Sequence, residues 1–150
     1  MFGQSKKQLK VGDQAPLFSG TTQDGKTLQL KDFLGKKVAL YFYPKDNTSG
    51  CTKQACSLRD HYANLQKAGY AVIGVSNDSV DSHQRFSEKH ELPFPLIADT
   101  NREITDAYGT SRRFLWFPKR TTFIINEKGY IERIIKRINT TNHAEEILNG

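Results

Sequence analysis

Cysteine is scarce in this sequence, with two among 150 residues. That is too few for the disulfide framework of a small secreted domain. A chain of this length buries roughly 70% of the surface its unfolded form would expose, so it needs no such staple. A reducing cytoplasm is the expected setting, and cysteines there are catalytic or metal-binding more often than structural. Long apolar runs are also missing. The opening MFGQSKKQLKVGDQ has none, so no signal peptide is expected. No stretch approaches the ~20 apolar residues of a membrane span. Repeats, low-complexity tracts and interdomain linkers are absent, and one domain over residues 1–150 is expected.

Charge of one sign is never concentrated. The formal net charge is +6, but the basic residues fall in scattered doublets such as Lys36-Lys37, Arg112-Arg113 and Lys119-Arg120. Such doublets read as a solvated surface with mild attraction for anions. Nucleic-acid binding would require a recognisable motif beside the charge, and none is present. The four histidines, His61, His83, His90 and His143, show no metal-type pairing with the cysteines. They read as surface or packing residues, and no metal or organic cofactor is expected.

What the sequence does contain is an alternation of strands and helices. TTQDGKTLQLKDF alternates around Asp24-Gly25, a tight-turn dipeptide, and predicts an N-terminal β-hairpin. KVALYFYP is a continuous apolar run stopped by Pro44, as expected of a buried strand. In CTKQACSLRDHYANLQKAG, apolar residues at Cys51, Ala55, Leu58, Tyr62 and Leu65 predict one helix, closed by Gly69. YAVIGVSND is a second buried strand, parallel to the first through a right-handed crossover. A helix over SVDSHQRFSEKHEL follows, with Asp81 as its predicted cap, then the extended PFPLIAD and a short helix in REITDAYG. RTTFIIN and IERIIKRI form a strand pair, and NHAEEILNG a last helix. The fold class is α/β.

GTTQDGKT, residues 20–27, matches the phosphate-loop spacing. That loop must open a helix whose N-terminus holds the anion, and here the chain runs on into strand alternation. The match is refused.

Cys51 falls in the first turn of its helix, with Thr48, Ser49 or Gly50 as N-cap. Free backbone N–H groups and the positive end of the helix dipole favour thiolate over thiol there. The residue is either an activated nucleophile or a buried cysteine packing as a small hydrophobe.

At this point the residues carry a family likeness. YFYPKDNTSGCTKQAC resembles the active-site segment of the peroxiredoxins. It is similar in particular to the bacterioferritin comigratory protein or peroxiredoxin Q group, with its second cysteine five residues downstream. VGDQAPLF, GVSNDSVDSHQRF, LPFPLIAD and RTTFIINEKGYI extend the likeness almost end to end. Ser49 departs from it, standing where many relatives have proline.

The resemblance implies a thioredoxin-like fold, a central mixed sheet flanked by helices, and reduction of hydroperoxides. It implies that Cys51 attacks the peroxide and becomes a sulfenic acid, and that Cys56 condenses with it to an intramolecular disulfide. Thr48 would orient the peroxide, Pro44 would shield the sulfur, and Arg120 would stabilise thiolate and developing oxyanion with its planar fork. Thioredoxin or a similar dithiol protein would return the electrons, and the protein would be a monomer. The alternative is a redox sensor that uses the same disulfide as a switch. Trp116, the only tryptophan, either packs on the core or forms a rim for apolar hydroperoxides.

On a regular helix, Cα atoms five residues apart lie about 8.6 Å from each other. A disulfide requires less than about 7 Å. The helix holding Cys51 and Cys56 must therefore unwind before such a bond can close, with Cys56 placed on the side of Arg59, Asp60 and Ala63.

Overall fold

The computed structural model describes residues 8–112, 115 and 117–150. The expectation for Trp116 lies outside them. A two-stranded hairpin opens the fold, with β1 (Ser19–Thr21) antiparallel to β2 (Thr27–Gln29) around the predicted turn. The strand alternation read through LQLKDF ends early, because Leu30–Phe33 winds into a 3-10 turn. That turn buries Leu30.

Five strands form the main sheet: β3 (Lys37–Phe42), β4 (Tyr70–Ser76), β5 (Leu96–Ala98), β6 (Thr121–Ile125) and β7 (Ile131–Ile135), in the order β5-β4-β3-β6-β7. β3 runs parallel to β4, and β4 to β5. β6 is antiparallel to both β3 and β7. The apolar runs of β3 and β4 follow from cover on both faces. Ala39, Tyr41, Val72, Leu96 and Ile124 face one layer, while Val38, Leu40, Ile73, Ile97 and Phe123 face the other. Each such fully buried aliphatic side chain contributes about 1.5–3 kcal/mol. Gly74 lets β4 pass under Tyr41, since a Cβ there would lie 2.9 Å from the Tyr41 ring and 2.8 Å from Leu96.

The segment predicted as one helix after β3 is two: α1 (Ser49–Asp60) and α2 (Tyr62–Lys67). His61 separates them, with φ −111° and ψ 16°. Its Nδ1 lies 3.0 Å from the Ser57 carbonyl, which also accepts the His61 backbone N–H at 3.2 Å. Apolar spacing carries across this break because α2 keeps Leu65 in the same core. α3 (Val80–His90) begins one residue before the predicted cap. Ser79 is the N-cap, its Oγ accepting from Ser82 N at 3.1 Å, and Asp81 sits in the first turn, where its charge suits the dipole. α4 (Glu103–Ala107) and α5 (His143–Leu148) match the two short helices predicted. α1, α2, α3 and α5 supply the layer over Tyr41 and Ile124.

Candidate active site

The loop after β3 delivers the chain to α1. Pro44 ends the buried run and is half-buried. Asp46 is then tied down from three directions. Tyr43 Oη donates to its Oδ1 at 2.6 Å, Ser82 Oγ donates to its Oδ2 at 2.9 Å, and His83 Nδ1 lies 2.7 Å from Oδ2. The Asp46 backbone N–H reaches Asp78 Oδ2 at 2.9 Å. His83 is completely buried, and its other nitrogen, Nε2, lies 3.0 Å from the Ile97 carbonyl. A carbonyl only accepts, so Nε2 donates to it, which leaves Nδ1 facing the Asp46 carboxylate. Asp46, Asp78 and His83 also come close enough to suggest a metal cluster. Their ligand atoms are already engaged with one another and with Tyr43, Ser76 and Ser82.

Asn47 takes the left-handed region at φ 63°, turning the chain into the helix. Thr48 occupies the N-cap position, but its hydroxyl caps nothing. It donates instead to the Lys45 carbonyl at 2.8 Å and is exposed. Its oxygen lone pairs remain open to a donor from solvent or substrate.

Cys51 is 1% exposed, in the first turn of α1, a turn without acidic residues. Arg120, from the residue just before β6, reaches it. Its Nη2 donates to Cys51 Sγ at 3.4 Å, and its Nη1 donates to Gln54 Oε1 at 2.6 Å. Gly50 makes the approach possible, since a Cβ there would stand 3.1 Å from Nη2. The Cys51 sulfur thus sits in the first turn of a helix with a guanidinium donor directed at it. Tyr41 lies beneath the same site. Burial, with Asp46 and Cys51 nearby, raises its phenol well above the ordinary range, so it stays protonated.

Of the five residues singled out from sequence, the fold brings Cys51 and Arg120 together. Pro44 and Thr48 lie in the entry loop. Cys56 is a second free thiol, half-buried, with Sγ 4.0 Å from Nδ1 of His90. It therefore faces the end of α3. Gln54 was not anticipated. It is fully buried, and its amide nitrogen is without a hydrogen bond among the described residues. A glutamine three residues after a cysteine carries no signal until the arginine that contacts it is located.

Comparison with known proteins decides the family. The model of the AhpC/TSA family matches residues 11–134. The chain belongs to the AhpC/TSA family. It is 43% identical over 146 residues to a putative peroxiredoxin bcp from Coxiella burnetii, covering 93% of this chain and 97% of that one. It is 41% identical to peroxiredoxin Bcp of Escherichia coli, covering 94% of each. The crystal structure of peroxidoxin BcpB from Mycobacterium tuberculosis superposes with a TM-score of 0.88 at 31% identity, over 94% of this chain and 95% of that one. The fold is thus the thioredoxin-like α/β fold of the peroxiredoxins, and the chain is a peroxiredoxin, a thiol-dependent peroxidase. Members of this family act on peroxides with a thioredoxin-type reductant. Among the described residues no helix is long and apolar enough to cross a membrane.

Proposed function

We propose that the chain, acting as one peroxidase domain and as a monomer in a reducing cytoplasm, reduces hydrogen peroxide and organic hydroperoxides at Cys51. The observation that carries the assignment is Arg120 Nη2 3.4 Å from Cys51 Sγ at the start of α1. The thiolate attacks one peroxide oxygen. The O–O bond breaks, its electron pair leaves on the departing oxygen, which takes a proton from solvent and departs as alcohol or water, and Cys51 becomes a sulfenic acid. Arg120 holds the thiolate and balances charge as it develops on the departing oxygen. Thr48, with its own hydrogen committed to Lys45, accepts a peroxide O–H and aligns it. Pro44 limits access of water to the sulfur. Cys56 then closes a disulfide with Cys51 and releases water, and thioredoxin or a similar dithiol protein reduces the bond.

A peroxide-consumption assay with a thioredoxin system tests this reading. Many turnovers are expected from the wild type, none from Cys51→Ser, and one dimedone-trapped sulfenic acid per chain from Cys56→Ser. A wild-type reaction that stops after a single turnover would instead mark a sensor.

A further inference from the structure

We propose that His90 is the proton acceptor for Cys56 when the disulfide closes, a role that rests on the peroxidase reading above. Nδ1 of His90 stands 4.0 Å from Cys56 Sγ, within reach of an S–H···N contact given the size of sulfur. One interaction packs the ring and another ties its backbone. Phe86 packs edge to face against it at 5.1 Å, and Arg59 Nη1 donates to the His90 backbone carbonyl at 2.8 Å. The charged and titratable groups around it are Cys56 and Arg59 from α1, Lys89 on α3 and Glu91 just beyond. Burial, then Lys89 and Arg59, lower the basicity of the imidazole. It is therefore neutral at neutral pH, and its Nε2–H tautomer offers the Nδ1 lone pair to Cys56.

The contact lasts until the bond forms because the two ends of α1 are held unequally. Immediately after Cys56 come three anchors. Ser57 Oγ accepts the Ala144 N–H of α5 at 3.2 Å, Leu58 is fully buried, and Arg59 holds the end of α3. At the other end Thr48 and Ser49 are exposed and Gly50 half-buried, and beyond their own burial Cys51 and Gln54 are tied by one side chain, Arg120. Unwinding starts where the anchors are fewest, so Cys51 travels and Cys56 stays beside His90.

The step balances without an added reactant. The Cys56 S–H proton passes to His90 Nδ1. The thiolate attacks the sulfur of Cys51 sulfenic acid, the S–S bond forms, and the S–O bond breaks. The departing hydroxide takes the proton from the imidazolium and leaves as water. His90 returns to its neutral form.

Rapid mixing with one equivalent of hydrogen peroxide tests the role, with dimedone trapping for the sulfenic acid and mass analysis for the disulfide. His90→Gln and His90→Ala should form the sulfenic acid at the wild-type rate. Both should close the disulfide about a hundredfold more slowly, at the low end of what positioned general bases contribute, about 10²–10⁴-fold. Added imidazole should restore closure in His90→Ala. The gap between wild type and variants should vanish in acid, where the ring is protonated. Wild-type closure in either variant overturns the proposal, as does slow closure that imidazole leaves unchanged. If the wild type forms no Cys51–Cys56 bond, the underlying reading falls, and the role of His90 with it.

Discussion

The guanidinium of Arg120 rests over residue 50, and residue 50 has no side chain to keep it off Cys51. The 3.4 Å contact to sulfur passes where a Cβ would stand 3.1 Å from Nη2. Gly50→Ala should displace the guanidinium by a few tenths of an ångström. We expect the rate constant with hydrogen peroxide to fall about tenfold, a loss of about 1.4 kcal/mol in transition-state stabilisation. Thermal stability should hold, since alanine suits a helix at least as well as glycine. An unchanged rate would mean that the approach is not tight.

Arg120→Lys keeps the charge and loses the fork that spans Cys51 and Gln54. The peroxide reaction should slow with little change in melting temperature, and Gln54→Leu should slow it less. Stopped-flow kinetics on the three proteins give the order. Gln54→Leu slower than Arg120→Lys would contradict this account.

Asp46→Ala removes the carboxylate from three donors in the core. Breaking a buried pair by deleting one partner costs about 3–5 kcal/mol, because the other is left uncompensated. Urea unfolding should show a loss of that size. A loss below 1 kcal/mol would mean that the pair is dispensable.

His143 carries a pH signature. It is buried, with Nε2 2.7 Å from Thr122 Oγ1 and Nδ1 2.9 Å from Glu146. Burial lowers its basicity, an effect only partly opposed by Glu146. Its folded-state pKa is therefore below the unfolded value of about 6.5. The unfolded chain binds the proton more readily, so this residue's contribution is intact above that value and is lost as pH falls towards the folded pKa. Melting temperature should decline between neutrality and pH 5, and His143→Gln should flatten part of the decline. Parallel curves for the two proteins would rule His143 out as the source.

Oxidation should act on one end of α1. Amide exchange from Thr52 to Cys56 should accelerate once the Cys51–Cys56 bond is confirmed by mass. Leu58 to Asp60 and the strands should stay protected. Unchanged protection at Thr52 to Cys56 would mean that the bond closes without unwinding.

Periodicity made most of this architecture readable in advance. β3 and β4 announce themselves as unbroken apolar runs, and α1 by its spacing. The break at His61 escaped because leucine spacing records which face is buried and not the dihedral angles of the residue between two helices. Ser79 displaced Asp81 because a serine and an aspartate two residues apart are equally good caps, and only tertiary placement of the helix start selects between them. Within the candidate site, the position of Cys51 in the first turn of α1 was legible from local spacing, while Arg120 was ranked by family likeness alone. Gln54, Asp46 and His90 were invisible for one reason. Each acts through a partner more than thirty residues away, with Arg120, His83 and Cys56 at separations of 66, 37 and 34, and sequence spacing says nothing about such meetings.

The distance along the chain between Cys51 and Arg120 has a consequence for the birth of the protein. Sixty-nine positions separate them. At about 5–20 residues per second, a ribosome needs roughly 3–14 s to make the arginine after the cysteine. Throughout that interval Cys51 has no Arg120 to meet. The contact between them is therefore among the late ones to form, and it waits for β6 to dock against β3.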